Sequence, residues 1–347
     1  MGKKRKEEPQ MQTYSFRQAP FRVFGVPFFE KTGVLERLPQ ALAAQLDSDQ
    51  MPFLARRCPG ARLCFRTDSP VVGVKITLAA LTPDIGMSIY SCQSANVFFG
   101  PRPTARYAGL ARPEGYDGAP CCQGTFQKSA EMEDVTIFLP RNEQVEDMVI
   151  QLADGAQLAP PTPYRFEKPL VFYGSSITEG GCCSKPANAY NAMLSRWLDA
   201  DYYNLGFSGA ARGELPMADY INTIDQSVFV MDYDHNAPDA AHLQRTHEPF
   251  FRRIREAQPT LPIVLMTKPD FDFWPDSAQR RDIIRATYDH ARAAGDENVY
   301  FVDGRQFFGE DDRAACTNDC VHPNDLGMYR MAKVLLPVIQ RLLVKNG

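Results

Sequence analysis

Hydrophobic and polar positions divide the chain into two unlike halves. From about Thr13 to Leu152 the apolar residues fall in short runs. Residues 61–67 and 71–78 alternate with period two, which predicts strands buried on one face, and Asp68-Ser69-Pro70 between them is turn chemistry. Residues 21–24, 86–90, 124–128, 133–139 and 144–152 predict further strands, the last two joined by a hairpin loop at Pro140-Arg141-Asn142-Glu143. A helix is expected over 33–45, and the Gly- and Pro-rich stretch 102–120 reads as a long loop. Many short strands with little helix predict an antiparallel β-sandwich.

After Pro160, Pro161 and Pro163, which mark a linker, the period changes. Leu170-Val171-Phe172-Tyr173 is a continuous apolar run, as in a strand covered on both faces. Helical spacing follows over 189–200, with Tyr190, Leu194 and Trp197 on one face. Strands are expected at 202–205, 226–231, 261–267 and 298–302, and helices at 241–256, 277–294 and 326–344. Leu243, His247, Phe250 and Ile254 share one side of the first of these helices. Met328, Ala332, Leu335, Ile339 and Leu342 share one side of the last. Strand and helix alternate five times, which predicts a parallel five-stranded sheet in a three-layer α/β/α arrangement. The expected division is a tail over 1–12, a sandwich over 13–160, a linker over 161–168 and an α/β domain over 169–347.

Composition narrows the class. Lys and Arg total 38 against 42 Asp and Glu, a net charge of −4, so the basic footprint of a general nucleic-acid binder is missing. No run approaches the roughly 18 apolar residues of a membrane span, so no membrane partner is expected. Lys3 to Lys6 are basic, but Glu7, Glu8 and Pro9 follow them instead of an apolar stretch, so an export signal is not predicted. A nuclear address or an RNA contact is the less favoured reading of those four residues. The nine cysteines are Cys58, Cys64, Cys92, Cys121, Cys122, Cys182, Cys183, Cys316 and Cys320, an odd number without a C-x-x-C spacing. That pattern is neither a disulfide framework nor a zinc ribbon, and reduced thiols in a cytoplasm are expected.

Ligands of a parallel α/β sheet bind beyond the carboxyl ends of its strands. Four segments there carry candidate chemistry. Gly174-Ser175-Ser176-Ile177-Thr178-Glu179-Gly180 follows the first strand; a serine at such a turn exposes Oγ at the sheet edge, although the segment taken alone reads first as a Gly-Ser turn that caps a helix. Asn204-Leu205-Gly206-Phe207-Ser208-Gly209 follows the second strand, and its glycines can bring a backbone N–H close to a ligand. In Asp232-Tyr233-Asp234-His235-Asn236-Ala237-Pro238, Asn236 can donate to a developing oxyanion, or Asn236 or Asp239 can cap the next helix. In Asp319-Cys320-Val321-His322, the aspartate can reach the His322 Nδ1–H and leave Nε2 facing a nucleophile. Of the five histidines, His242, His247 and His290 sit in helical stretches and read as structural.

These four segments together resemble the SGNH, or GDSL-type, hydrolase superfamily, over about Leu170 to Val344. Its Gly-Asp-Ser-x-Thr block corresponds to Gly174-Ser175-Ser176-Ile177-Thr178, with Ser175 in place of Asp. Its second-block glycine corresponds to Gly209, or alternatively Gly206. Its Gly-x-Asn-Asp block keeps only Asn236, and its Asp-x-x-His block is intact as Asp319 to His322. The run from Tyr233 to Pro238 and the run from His322 to Gly327 look like a bacterial subgroup with a jelly-roll-like β-sandwich ahead of a flavodoxin-like hydrolase domain. Its members resemble carbohydrate esterases that deacetylate plant saccharides.

The resemblance implies a serine esterase without metal or cofactor. Ser176 would be the nucleophile, His322 the base and Asp319 its orienting partner. The oxyanion would be held by the N–H groups of Ser176 and Gly209 and by Asn236. Arg212, Glu214 and Trp274 could contact substrate, or be solvated charges and a loop-packing aromatic. The implied partner is a small-molecule or oligosaccharide ester, and a homo-oligomer is compatible with the sequence. The competing readings are a short-chain lipid or thioester hydrolase on the same three residues and a non-catalytic carbohydrate-binding protein.

Overall fold

This computed structural model describes residues 10–269 and 273–346. The first half contains β1 (Met11–Ser15), β2 (Arg22–Phe24), α1 (Phe29–Thr32), α2 (Gln40–Ala43), α3 (Met51–Arg56), β3 (Arg62–Thr67), β4 (Val71–Leu78), α4 (Ile89–Gln93) and β5 (Ala95–Phe99). It continues with β6 (Arg106–Ala111), β7 (Cys121–Gln127), β8 (Glu133–Phe138), β9 (Val145–Ala153) and β10 (Leu158–Ala159). The strands pair antiparallel in two sheets, β1-β9-β4-β7 and β10-β3-β8-β5-β6, with β2 added on β3. Val72, Val74 and Ile150 from one sheet and Leu63, Val97 and Ile137 from the other share a buried core. The expected sandwich is therefore formed.

Several local expectations fail for identifiable reasons. Residues 86–90 are not a strand: Gly86 takes φ +83° and Ser88 caps α4, accepting the Ser91 N–H at 3.2 Å. Residues 33–45 are not one helix, because Gly33 ends α1 in the left-handed conformation and the helical turn of α2 begins only after Pro39. The stretch 102–120 holds β6, which pairs with β5, itself buried along its whole length and so without an alternating pattern. The short α3 was not foreseen. Met11 and Gln12, expected in the tail, pair with β9; residues 1–9 of that tail lie outside the described residues.

The second half contains β11 (Phe166–Gly174), α5 (Ser176–Glu179), α6 (Tyr190–Leu198), β12 (Ala200–Gly206), α7 (Leu215–Ile221), β13 (Val228–Asp232) and α8 (Ala240–Ala257). Then come β14 (Ile263–Met266), α9 (Ser277–Ala293), β15 (Val299–Val302) and α10 (Asp325–Asn346). Every pairing is parallel, in the order β12-β11-β13-β14-β15. Counted within this half that is 2-1-3-4-5, the flavodoxin-like order, whose switch point lies between the first and third strands. The apolar run of β11 explains its central place. Val171 and Tyr173 enter the core on one face of the sheet, Leu170 and Phe172 the core on the other. The strand starts at Phe166, inside the expected linker. The faces foreseen on α8 and α10 are the buried ones. The unforeseen α7 starts Leu215-Pro216, which reads as loop but suits a first helical turn.

The two halves are locked together. Leu38, Ala43, Met51 and Leu54, from the segment between β2 and β3, belong to the core under the parallel sheet, not to the sandwich core. Arg37 in the same segment is fully buried and crosses to the other half. It donates to the carbonyls of Asn204 and Gly206 at the end of β12 and to Glu179 Oε1 at 3.2 Å.

Candidate active site

The turn after β11 is built by its glycine and its two serines. A Cβ at Gly174 would lie 2.1 Å from Thr178 Oγ1 and 2.5 Å from the Asp232 carbonyl, so only glycine fits where the strand turns. Ser175 Oγ accepts the Ile177 N–H at 3.1 Å, while the Ser175 N–H donates to Thr178 Oγ1 at 3.0 Å. This reciprocal cap fixes α5 and puts Ser176 at its first position. Ser175 thus supplies the capping oxygen that an aspartate would otherwise supply.

The capping hydroxyl is anchored from behind. Thr178 Oγ1 donates to Asp232 Oδ2 at 2.7 Å, and Tyr190 Oη donates to the same oxygen at 2.7 Å. Asp232 is buried at the end of β13. Burial pushes its carboxyl up to about 7, against the opposing pull of the Thr178 and Tyr190 hydroxyls.

Ser176 and His322, 146 residues apart in sequence, meet with Oγ 2.9 Å from Nε2. On the other side of the ring, His322 Nδ1 lies 2.7 Å from Asp319 Oδ2. Asp319 Oδ1 also accepts the backbone N–H groups of His322 at 2.7 Å and Val321 at 3.1 Å. Desolvation pushes the Asp319 carboxyl up, but these N–H bonds and the nearby imidazole outweigh it and hold it below the usual range. Positive φ at Cys320, +67°, lets the short loop curl back so that the aspartate reaches the ring.

The oxyanion candidates are brought together, with their hydrogen bonds partly spent. Gly206 N–H donates to Asn204 Oδ1 at 2.9 Å, and a Cβ there would lie 2.5 Å from Glu179 N. Gly206 is therefore a close-packing glycine, and the alternative of a donor at that position is not carried by the geometry. Gly209 N–H donates to Asn236 Oδ1 at 3.1 Å, and Asn236 Nδ2 donates to the Phe207 carbonyl at 2.8 Å. One Nδ2 proton stays available. Asn236 is not the cap of α8; Asp239 is, accepting the His242 N–H at 2.6 Å. No acceptor takes the Ser176 N–H among the described residues.

The accessory candidates separate. Arg212 Nε donates to the Gly209 carbonyl at 3.1 Å, and its own N–H donates to Glu214 Oε2 at 3.0 Å. Glu214 also accepts Tyr173 Oη at 3.0 Å. Both residues bond within the loop after β12. Trp274 is 42% exposed and 6.4 Å from the His235 ring, which lies edge-on to His322 at 6.1 Å. Its neighbours Asp270, Phe271 and Asp272 lie outside the described residues. Beside it, Phe273, Phe308, Arg313, Thr317 and Cys320 line a cavity of about 260 Å³. Among the other histidines, His247 Nδ1 meets Thr287 Oγ1 at 2.8 Å and His290 Nδ1 meets Glu248 at 2.9 Å, both away from the site. All nine cysteines are free thiols. No cluster of three metal-ligating side chains occurs among the described residues, and no helix there is long and apolar enough to cross a membrane.

Asp232, Tyr190 and Arg37 support the site without having been singled out from sequence. Asp232 opens the Asn236 segment and could have been suspected; nothing local to Arg37 or Tyr190 gives them away.

A doubly wound sheet with serine, histidine and aspartate meeting beyond its carboxyl ends has the layout of a hydrolase. The GDSL-like lipase/acylhydrolase family matches residues 167–340, half of the chain, and the protein belongs to it. It is therefore an ester hydrolase by class. A protein described as a GDSL-like lipase from Bacteroides ovatus is 23% identical, with 96% of this chain and 98% of that one covered at a TM-score of 0.85. A salicylyl-acyltransferase of a tetracycline biosynthetic pathway is 21% identical, covering 96% and 97% at 0.79. A family two carbohydrate esterase from Cellvibrio japonicus is 14% identical, covering 97% and 99% at 0.62. These structures share the two-part fold. Comparison with curated proteins finds no match.

Proposed function

We propose that the protein is a serine esterase that removes acetyl or other short acyl groups from carbohydrates. The observation that carries the proposal is the 2.9 Å approach of Ser176 Oγ to His322 Nε2, with Asp319 2.7 Å from Nδ1. Ser176 Oγ attacks the ester carbonyl as His322 takes its proton, and the alcohol leaves with that proton, giving an acyl-enzyme. Water then attacks with His322 again as base, and the carboxylic acid departs. The oxyanion is held by the Ser176 N–H and the remaining Asn236 Nδ2 proton. Gly209 joins them when its N–H shifts from Asn236 Oδ1 to the oxyanion. One such donor is worth on the order of 3 kcal/mol in the transition state.

A saccharide as the alcohol part is supported by the shared fold with carbohydrate esterases and by the exposed Trp274 ring near His322, which suits stacking on a sugar face. Ser176→Ala should abolish hydrolysis of aryl acetates in a protein that still folds; retained activity overturns the nucleophile. Acetate release from acetylated xylo-, manno- and pectic oligosaccharides, beside a panel of longer acyl aryl esters, tests the substrate. A preference for long acyl chains would favour a lipid or thioester instead.

A further inference from the structure

Five arginines are buried among the described residues: Arg37, Arg62, Arg102, Arg141 and Arg280. Four of them have carboxylate partners. Arg37 meets Glu179, Arg62 meets Asp201, Arg102 meets Asp199, and Arg280 meets both Asp234 and Asp276. This is the ordinary condition of a buried guanidinium, whose desolvation must be offset by a counter-charge. Arg141 is the exception. It is 3% exposed, yet no carboxylate among the described residues lies within 4.0 Å of it. Its Nη2 points at the thioether sulfur of Met87, its guanidinium also lies against the Cys92 thiol, and its Nε has no acceptor. Two acids of the same region bond neutral donors rather than Arg141. Glu143 accepts the Thr82 N–H at 3.0 Å and Gln93 Nε2 at 3.3 Å, and Asp84 accepts Asn142 Nδ2.

Met87 links this cation to the turn that carries Ser176. Met87 Sδ, which takes Arg141 Nη2, also accepts the Cys182 N–H at 3.2 Å. Cys182 follows Gly181, whose N–H donates to the Ser176 carbonyl at 2.7 Å. A Cβ on Gly181 would lie 3.5 Å from His322 Cδ2. The Cys182 thiol in turn faces Asn318 and feels the charges of Asp319 and Arg141. Arg141 comes from the loop joining β8 and β9, so the sandwich half brings a positive charge close to a site whose Ser176, Asn236, Asp319 and His322 all come from the parallel-sheet half.

We propose that Arg141 recognises a carboxylate on the substrate, which makes the preferred substrate an acylated acidic sugar, with a hexuronic acid ester as the simplest case. The inference rests on the esterase reading and narrows its substrate class. The bound carboxylate supplies the counter-charge that no carboxylate within 4.0 Å provides, through a charge-assisted contact with the guanidinium.

The test compares kcat/KM for an acetylated methyl hexuronate and for the matching neutral acetylated methyl hexoside, in wild type, Arg141→Met and Arg141→Lys. Wild type should prefer the acidic substrate by roughly 10- to 100-fold, the worth of a charge-assisted contact, mainly through KM. Arg141→Met should erase that preference and Arg141→Lys should keep part of it. Equal wild-type rates on the two sugars, or an equal loss on both in Arg141→Met, overturn the inference. Calorimetric binding of the same two sugars to Ser176→Ala is the second arm and needs no turnover. Selective binding of the acidic sugar supports Arg141 even if hydrolysis fails, whereas equal affinity overturns it. If Arg141→Met does not fold, the wild-type preference and its retention in Arg141→Lys decide.

Discussion

The Gly209 N–H donates to Asn236 Oδ1 at 3.1 Å, so two candidate oxyanion groups from the loops after β12 and β13 are bonded to each other. Under the proposed mechanism Asn236 then has two roles, as donor and as the clamp on the Gly209 loop. Asn236→Ala should lower kcat on an aryl acetate by on the order of 10²–10³ with a small change in KM, because the lost bond belongs to the transition state. Gly209→Ala keeps its N–H but strains a residue at φ +67°. It should cost about 1 kcal/mol of stability and less than about tenfold in kcat. Equal kcat losses in the two variants would sink this division of roles.

Asp319 Oδ2 lies 2.7 Å from His322 Nδ1 while its side chain is 52% exposed. Water can partly replace it. Asp319→Asn is expected to lower kcat by roughly 10²–10³, less than the ~10⁴ known for a buried triad aspartate. Steady-state kinetics at fixed pH measure this, and wild-type kcat in the variant would remove Asp319 from the catalytic group.

The Arg37–Glu179 pair is buried at both ends. Arg37→Met leaves Glu179 without its partner and strips the Asn204 and Gly206 carbonyls of a donor. The expected loss is about 3–5 kcal/mol in urea unfolding. Adding Glu179→Gln should recover part of it, since the stranded charge is then gone. No recovery would mean that the carbonyl bonds carry the effect.

Asp232 should make stability depend on pH. Its folded pKa is about 7, against about 3.9 for an unfolded aspartate. Between those values the folded chain holds a proton that the unfolded chain has released. Stability from this group therefore falls as pH rises from about 4 to 7 and levels off above. Asp232→Asn removes the titration and should gain on wild type across that window, by up to about 4 kcal/mol. Urea unfolding at pH 5 and pH 8 checks the sign; a constant difference would refute it.

Much of the α/β half was legible because its signals are local. The run Leu170 to Tyr173 is apolar without a break because both of its faces are covered, and the faces of α8 and α10 follow from 3.6-residue spacing alone. The sandwich was legible as a class and less so strand by strand. β5 escaped because it is buried along its whole length and so shows no alternation. Residues 86–90 misled because an alternation of apolar residues crosses a turn at Gly86.

The sequence by itself determined the order of elements and the residue types at the strand ends: Ser176 after the first strand, Asn236 after the third and Asp319 to His322 after the fifth. These depend on short-range periodicity and turn chemistry, which neighbouring residues dictate. Tertiary structure alone decided which polar groups meet. It tied Gly209 to Asn236, closed Gly206 against Glu179, anchored Thr178 on Asp232, and drew Arg37 into the other half. It also left Arg141 buried without a carboxylate beside the Ser176 turn. Such pairings join residues far apart in the chain, and their energy depends on burial and distance, neither of which a local pattern encodes.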